Sequence, residues 1–179
     1  VKLDPLLALK NKEYLSDEDM VAYQKRNLID IKSPNPSVET FLHAFLPFKY
    51  VDHTHADAVL NITNRPGGLN LCKKIFGDKV SIVPYVMPGF MLAKKINEVY
   101  SKNPNINCLI LLNHGIFTFD NDAKKSYDLM IKYVSIAEKA IKKIKRKKIK
   151  QIKKYNTKFK PYEIAPILRG LLSERNDQK

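Results

Sequence analysis

The 179-residue sequence has few cysteines and no long apolar run. Its longest uninterrupted apolar stretch, Cys108 to Leu112, is far shorter than the ~20 residues that a membrane-spanning helix needs. The charged N-terminal region contains no apolar core of a secretory signal peptide. The cysteines, Cys72 and Cys108, form no close-spaced pair, which favours small buried thiols in a reducing cytosol over a disulfide framework. We therefore expect a cytoplasmic protein without a membrane segment.

A dinucleotide-binding fingerprint is missing too, because no G-x-G-x-x-G motif occurs. Hydrophobic residues make up 44% of the chain and charged residues 28%, which is typical of a folded domain and excludes wholesale disorder. The length suits a single domain spanning residues 1–179.

Helical and strand patterns alternate along the chain. The predicted helices cover 16–27, 38–46, 56–62, 69–76, 90–102, a stretch that starts at 122, and 161–174. The predicted strands cover 50–55, 80–83, 108–112 and 116–119. This alternation favours an α/β fold in which helices cover a sheet.

The net charge of +14 comes almost entirely from one segment. Residues 139–160 carry twelve lysines and arginines and no acidic residue, whereas the rest of the chain holds 20 basic and 18 acidic residues. Isoleucines recur at helical spacing from Ile141 to Ile152, which predicts a lysine-rich helix with its lysines facing solvent. A polyanion-binding element is the alternative. Because few aromatic residues interleave and no nucleic-acid-binding signature occurs, we expect no specific nucleic-acid partner.

Three of the four histidines stand where they could bind one metal ion. His53 and His55 are two residues apart, so on a strand both side chains project from one face. His114 ends a predicted strand, just before Gly115, where the chain must turn. Three imidazoles with one open position are a catalytic zinc arrangement. Each signal is weak alone, because H-x-H pairs occur by chance and a histidine in a turn is often only hydrogen-bonded.

Two further side chains are candidates for assisting such a site. His43 follows Glu39 by four residues on one predicted helix face, so it either contacts the site or packs beside it. Asp57 follows His55 by two residues and either orients a histidine or caps the next helix. Glu39 would, taken alone, be an ordinary solvated carboxylate.

Four segments together resemble the class II aldolase/adducin-head family. They are Pro36-Ser37-Val38-Glu39-Thr40 with His43, Val51 to Asp57 with its H-T-H, Val83 to Phe90, and Leu112 to Phe117 with its N-H-G. They occur in the order found in the family, and the similarity extends from about Leu3 to Leu172. The sequence is most similar to the aldolase portion of bifunctional rhamnulose-1-phosphate aldolase/short-chain alcohol dehydrogenase proteins. The resemblance implies a three-layer α/β/α sandwich.

The resemblance also implies a function. His53, His55 and His114 correspond to the zinc ligands of the family, Glu39 to its catalytic acid/base, and Ser37 to a residue of the substrate-phosphate pocket. The implied reaction is zinc-dependent retro-aldol cleavage of a ketose or sugar phosphate. Because relatives are tetramers, a homo-oligomer is expected as well.

One family feature does not occur in this sequence. The glycine-rich G-N-T/V-S loop, which binds phosphate through backbone N–H groups, should precede Ser37 by several tens of residues. We therefore expect a fragment or shortened member that binds zinc but cleaves sugar phosphates poorly. Two alternatives stay open: another zinc-dependent reaction on this fold (epimerisation, dehydration or decarboxylation), and a non-catalytic binding module like the adducin heads.

Overall fold

The computed structural model describes residues 1–143 and 158–172. The chain divides into two compact units, Val1–Lys145 and Arg146–Lys179. The described part of the second unit contains one long helix, α8 (Pro161–Leu172). The described part of the first unit contains the helices α1 (Leu3–Ala8), α2 (Asp17–Arg26), α3 (Thr40–Phe45), α4 (Asp57–Thr63), α5 (Gly68–Phe76), α6 (Phe90–Lys102) and α7 (Ala123–Lys143), a 3-10 turn (Gly77–Lys79), and the strands β1 (Tyr50–Thr54), β2 (Ser81–Val83), β3 (Cys108–Leu111) and β4 (Gly115–Asp120).

The four strands form one mixed sheet in the order β1-β4-β3-β2. Strand β4 pairs antiparallel with both β1 and β3, and β2 lies parallel to β3. Asn113, with a φ of 59°, adopts the left-handed conformation that lets the chain reverse between β3 and β4. The end of β1, the end of β3 and the start of β4 therefore meet at one end of the sheet.

Helices cover both faces of the sheet. The face that carries Leu109 and Phe117 packs against α1, α2, α3 and α6. The opposite face, which carries Cys108 and Ile110, packs against α4, α5 and α7. Because strand side chains alternate between faces, each face presents its own apolar set to its own helix layer. The predicted α/β class and three-layer α/β/α arrangement are confirmed.

Most predicted elements are confirmed to within one or two residues. The side chain of Ser16 caps α2, because its Oγ accepts a hydrogen bond from the N–H of Asp19 (3.1 Å). The predicted helix 38–46 begins two residues later, at Thr40, since Ser37 forms a turn before it. Helix α1 has no counterpart among the predicted elements, and its Leu6 is buried in the core.

The lysine-rich segment is described only in part. Helix α7 extends to Lys143, residues 144–157 lie outside the described residues, and residues 158–160 precede α8 without being helical. The predicted lysine-rich helix is thus confirmed for 139–143 alone. Within residues 1–143 and 158–172, no helix combines the length and the apolar character needed to cross a membrane.

Candidate metal centre

Four side chains singled out in the sequence meet at the end of the sheet. Each of Glu39, His53, His55 and His114 offers one ligand atom, and these four atoms lie within 4.8 Å of one another. Oε1 of Glu39 is 2.7 Å from Nε2 of His114, 3.3 Å from Nε2 of His53 and 3.6 Å from Nε2 of His55. One carboxylate oxygen is therefore the common neighbour of three imidazole nitrogens.

The strand register and an aromatic stack fix the position of His53. His53 pairs with Phe117 across β1 and β4, and the two rings stack with centroids 4.0 Å apart at an angle of 15°. Nδ1 of His53 lies 2.9 Å from the carbonyl oxygen of Ile116. Because a carbonyl only accepts, this contact assigns the proton to Nδ1 and leaves the lone pair of Nε2 facing Glu39.

Gly115 has no Cβ, and this leaves space for the rings of His53 and His55. A Cβ at Gly115 would lie 2.6 Å from the carbonyl oxygen of Thr54 and 3.0 Å from ring atoms of both His53 and His55. Strand β4 can therefore begin directly against the end of β1. The glycine of the N-H-G motif thus allows His114, one residue earlier, to approach His53 on β1 and His55 just after it.

Glu39 reaches the histidines from the helix layer. It directly precedes α3, which packs on the sheet face that carries Phe117. The turn before the helix is closed by Ser37, whose Oγ accepts a hydrogen bond from the N–H of Glu39 (3.1 Å). The carbonyl oxygen of Ser37 accepts from the backbone N–H (3.1 Å) and the hydroxyl (2.7 Å) of Thr40. The turn thereby aims the Glu39 side chain at the sheet.

Burial and proximity shift two pKa values in the cluster. Burial alone raises the pKa of the Glu39 carboxyl, but the adjacent His53, His114 and His55 together outweigh it and lower this pKa overall. Burial is also the main reason that the pKa of His53 falls to about 4, against the opposing effects of Glu39 and the Ile116 carbonyl. At neutral pH, Glu39 is therefore ionised and His53 neutral, the states in which both bind metals.

The arrangement fits a bound metal ion. Nε2 of His53 is buried and, among residues 1–143 and 158–172, has no hydrogen-bond partner, although it faces the Glu39 carboxylate. Imidazole and carboxylate donors suit zinc and related transition metals, and two donors on a tetrahedral zinc lie about 3.3 Å apart, close to the distances around Glu39. The side chain of His55 is 57% exposed, so the cluster is open to solvent on one side.

The other candidates lie next to the cluster without joining it. Ser37 is exposed, and its hydroxyl contacts the backbone of Glu39. Nδ1 of His43 lies 3.1 Å from the carbonyl oxygen of Val51, and its ring meets Phe117 edge-on at 5.4 Å, so His43 packs behind His53. Asp57 is exposed in the first turn of α4.

Sequence reasoning did not identify three groups that shape the site. These are the ring of Phe117, the carbonyl oxygen of Ile116 and the space at Gly115. The glycine was visible as part of the N-H-G turn, but its clash with β1 depends on the pairing of distant strands. No local signal identifies the Phe117 ring or the Ile116 carbonyl. They lie beside His53 only because β1 pairs with β4 in one register, which neither segment determines alone.

The chain matches one protein family over most of its length. Residues 9–141 match the family described as Class II Aldolase and Adducin N-terminal domain. The matched range contains all four residues of the cluster.

The proteins similar to the chain include a curated relative and a solved structure. A Bacillus subtilis (strain 168) protein named Uncharacterized oxidoreductase YuxG is 36% identical over 185 aligned positions, which cover 97% of this chain and 26% of that protein. A solved structure, described as the N-terminal Class II Aldolase domain of a conserved protein from Thermoplasma acidophilum, is 42% identical with a TM-score of 0.73. That similarity covers 79% of this chain and 65% of the Thermoplasma chain. The present chain therefore spans about a quarter of the first relative and 65% of the second.

Proposed function

We propose that this chain is a zinc-dependent aldolase that cleaves a ketose or sugar phosphate by a retro-aldol reaction. The chain belongs to the class II aldolase and adducin N-terminal domain family, which supports this proposal. The observation that carries the proposal is the convergence of three histidines and one glutamate at the end of the sheet. A purely structural module does not need three imidazoles around an ionised carboxylate, yet this chain has all four residues. This favours catalysis over the adducin-like binding role.

The residues of the cluster divide the chemistry between them. His53, His55 and His114 would hold the zinc ion, and bound zinc would supply a Lewis acid for the substrate carbonyl. Cleavage removes a proton from the hydroxyl of the carbon that becomes an aldehyde, and adds a proton to the carbon beside the ketone. Glu39 is ionised at neutral pH and lies among the histidines, so it is placed to take the hydroxyl proton and then to deliver that proton to the carbon beside the ketone.

Ser37 is proposed to bind the phosphate of the substrate. Its Oγ accepts a hydrogen bond from the N–H of Glu39, and a hydroxyl that accepts one bond still has its own proton to donate. The side chain is exposed and only two residues from Glu39. A phosphate oxygen can therefore accept from Ser37 while the reacting carbons lie at Glu39.

The protein is also proposed to assemble as a homo-oligomer, by analogy with tetrameric relatives. The loop before α6 and the first turn of that helix expose three large apolar side chains, Tyr85 (54%), Met87 (70%) and Met91 (44%), which suit a contact between subunits. Light scattering at micromolar concentration should give a multiple of the 20.6 kDa chain mass. A monomer under these conditions would contradict the proposal.

Metal content and a charge-removing substitution test the proposed function. The purified protein should contain about one zinc per chain, and His114→Ala should lose most of it.

Glu39→Gln keeps the shape of the side chain but removes its charge, so zinc content should stay near normal. Release of aldehyde from ketose 1-phosphates should then fall by roughly 10²–10⁴-fold. Glu138→Gln, an exposed glutamate on α7, is the matched control and should behave as wild type.

Two results would redirect the proposal. Because cleavage is expected to be slow without the glycine-rich loop, the decisive result is a zinc-loaded protein that releases no aldehyde from any ketose phosphate even at high enzyme concentration. That result would contradict the aldolase reaction and favour epimerisation, dehydration or decarboxylation at the same site. Protein that takes up no zinc would instead favour a non-catalytic binding module.

A further inference from the structure

A fully buried glutamine holds the turn that presents Glu39. Gln24 lies on α2 and is 0% exposed, and its Nε2 donates a hydrogen bond to the carbonyl oxygen of Ser37 (3.3 Å). The same carbonyl oxygen accepts the two hydrogen bonds from Thr40 that start α3. Gln24 therefore connects α2 to the peptide two residues before Glu39.

The other end of the Gln24 amide finds no partner in the part of the chain that the structure describes. There its Oε1 is buried without a hydrogen bond, and an unpaired buried acceptor destabilises a fold. The opposite amide orientation would bring two oxygens together, so Nε2 must be the atom that faces Ser37. An apolar side chain of the same length would fill the space without leaving an acceptor unpaired. The stability of the core therefore does not explain why residue 24 is a glutamine. The hydrogen bond to the Ser37 carbonyl explains it.

We infer that Gln24 is a positioning residue for Glu39: by fixing the Ser37 carbonyl, it holds the Glu39 carboxylate against His114. The contact that it maintains is the 2.7 Å approach of Glu39 Oε1 to His114 Nε2. Its consequence for turnover rests on the proposed role of Glu39 in proton transfer. The contact joins two side chains of this chain and can be measured in metal-free protein, so the contact and turnover can be tested separately.

The contact is tested by nuclear magnetic resonance of metal-free protein with ¹⁵N-labelled histidine. The His114 Nε2 signal reports whether the Glu39 carboxylate accepts its hydrogen bond, and Glu39→Gln supplies the reference for a lost carboxylate. Gln24→Met should move the His114 signal towards that reference while lowering the melting temperature by no more than about 4 °C. An unmoved His114 signal in folded Gln24→Met would overturn the inference. Gln24→Leu is the second variant, used in the same way if Gln24→Met does not fold.

A matched control separates positioning from general loosening. Cys72 is fully buried on the opposite face of the sheet, so Cys72→Ala should lower the melting temperature and leave the His114 signal in place. An equal shift in Cys72→Ala would mean that the signal follows stability, which would also overturn the inference.

Kinetics then connect the contact to turnover. In zinc-loaded Gln24→Met, kcat should fall by about 10- to 100-fold while KM stays within about threefold, because a displaced proton carrier slows chemistry more than binding. An unchanged kcat in an active enzyme would overturn the inference. If the wild type cleaves no substrate, that result contradicts the proposed function alone, since the resonance experiment needs neither zinc nor substrate.

Discussion

Because Gly115 has no side chain, strands β1 and β4 and the three histidines of the cluster can approach one another closely. Replacing Gly115 with alanine places a Cβ 2.6 Å from a backbone oxygen of Thr54, which cannot move without disturbing the β1–β4 pairing. We expect Gly115→Ala to lose about 1–3 kcal/mol of unfolding free energy and to bind zinc much more weakly. Urea unfolding and a competitive zinc titration measure the two effects.

The chain offers a matched glycine for comparison. Gly170 lies in α8, and no atom of the described residues stands within 4 Å of a Cβ added there. Gly170→Ala should therefore leave zinc affinity unchanged and, because alanine favours a helix more than glycine does, have a neutral or slightly stabilising effect. If Gly115→Ala bound zinc with wild-type affinity, the prediction would be wrong, because the strands would have separated without moving the histidines of the cluster.

The identities of the cluster residues could be predicted because the motifs are local, but their contacts could not. The H-x-H spacing predicts that His53 and His55 project from one face of a strand 50–55, although β1 ends at Thr54 and His55 follows it. The motif order identified the family, which is confirmed. The contact between Glu39 and His114 joins residues 75 positions apart. Such a contact depends on helix packing and strand register, which no single segment determines.

Among the helices, α2 matters to the site because it carries Gln24, and its first turn is capped by a side chain. Ser16 Oγ accepts the N–H of Asp19, and three acidic residues follow in the first turn, where the helix dipole favours negative charge. Ser16→Ala should lower the unfolding free energy by about 0.5–2 kcal/mol with an unchanged urea m-value. Ser33→Ala, in an exposed loop, is the control, and its effect should stay within about 0.5 kcal/mol. Equal effects of the two substitutions would rule out a contribution from the cap.

Helix ends were predictable where a cap or a proline marks them, whereas α1 was not predicted. Helix α6 (Phe90–Lys102) follows Pro88-Gly89 and has the predicted bounds. Helix α1 has only six residues, too few for an apolar period to be visible or for the helix to be stable alone. It forms because Leu6 packs into the core, which is a tertiary effect.

At the scale of the whole molecule, the three layers follow from the two-sided burial of the sheet. All four residues of β3 are buried, so this strand must have helices on both faces. The continuous apolar run in the sequence predicted this, whereas the assignment of individual helices to a face could not be predicted. That assignment follows from the alternation of strand side chains once the register is fixed.

The two cysteines report whether solvent reaches the core between the sheet and one helix layer. Cys72 on α5 and Cys108 on β3 are both 0% exposed in the core beneath α4, α5 and α7. Burial raises the pKa of the Cys72 thiol to about 11, and it raises the pKa of the Cys108 thiol well above its usual value. Because the reactive form is the thiolate, native protein at neutral pH should resist a thiol reagent such as Ellman's disulfide.

Labelling should therefore follow opening of the core. In increasing urea, the labelling rate of both thiols should rise with the unfolded fraction until two thiols per chain react. The variant Cys72→Ala leaves one thiol and reports on β3 alone, which should be the slower site if the central strand opens only on global unfolding. Rapid labelling of either thiol in the absence of urea would contradict a closed three-layer core, because a protonated and buried sulfur has no route to the reagent.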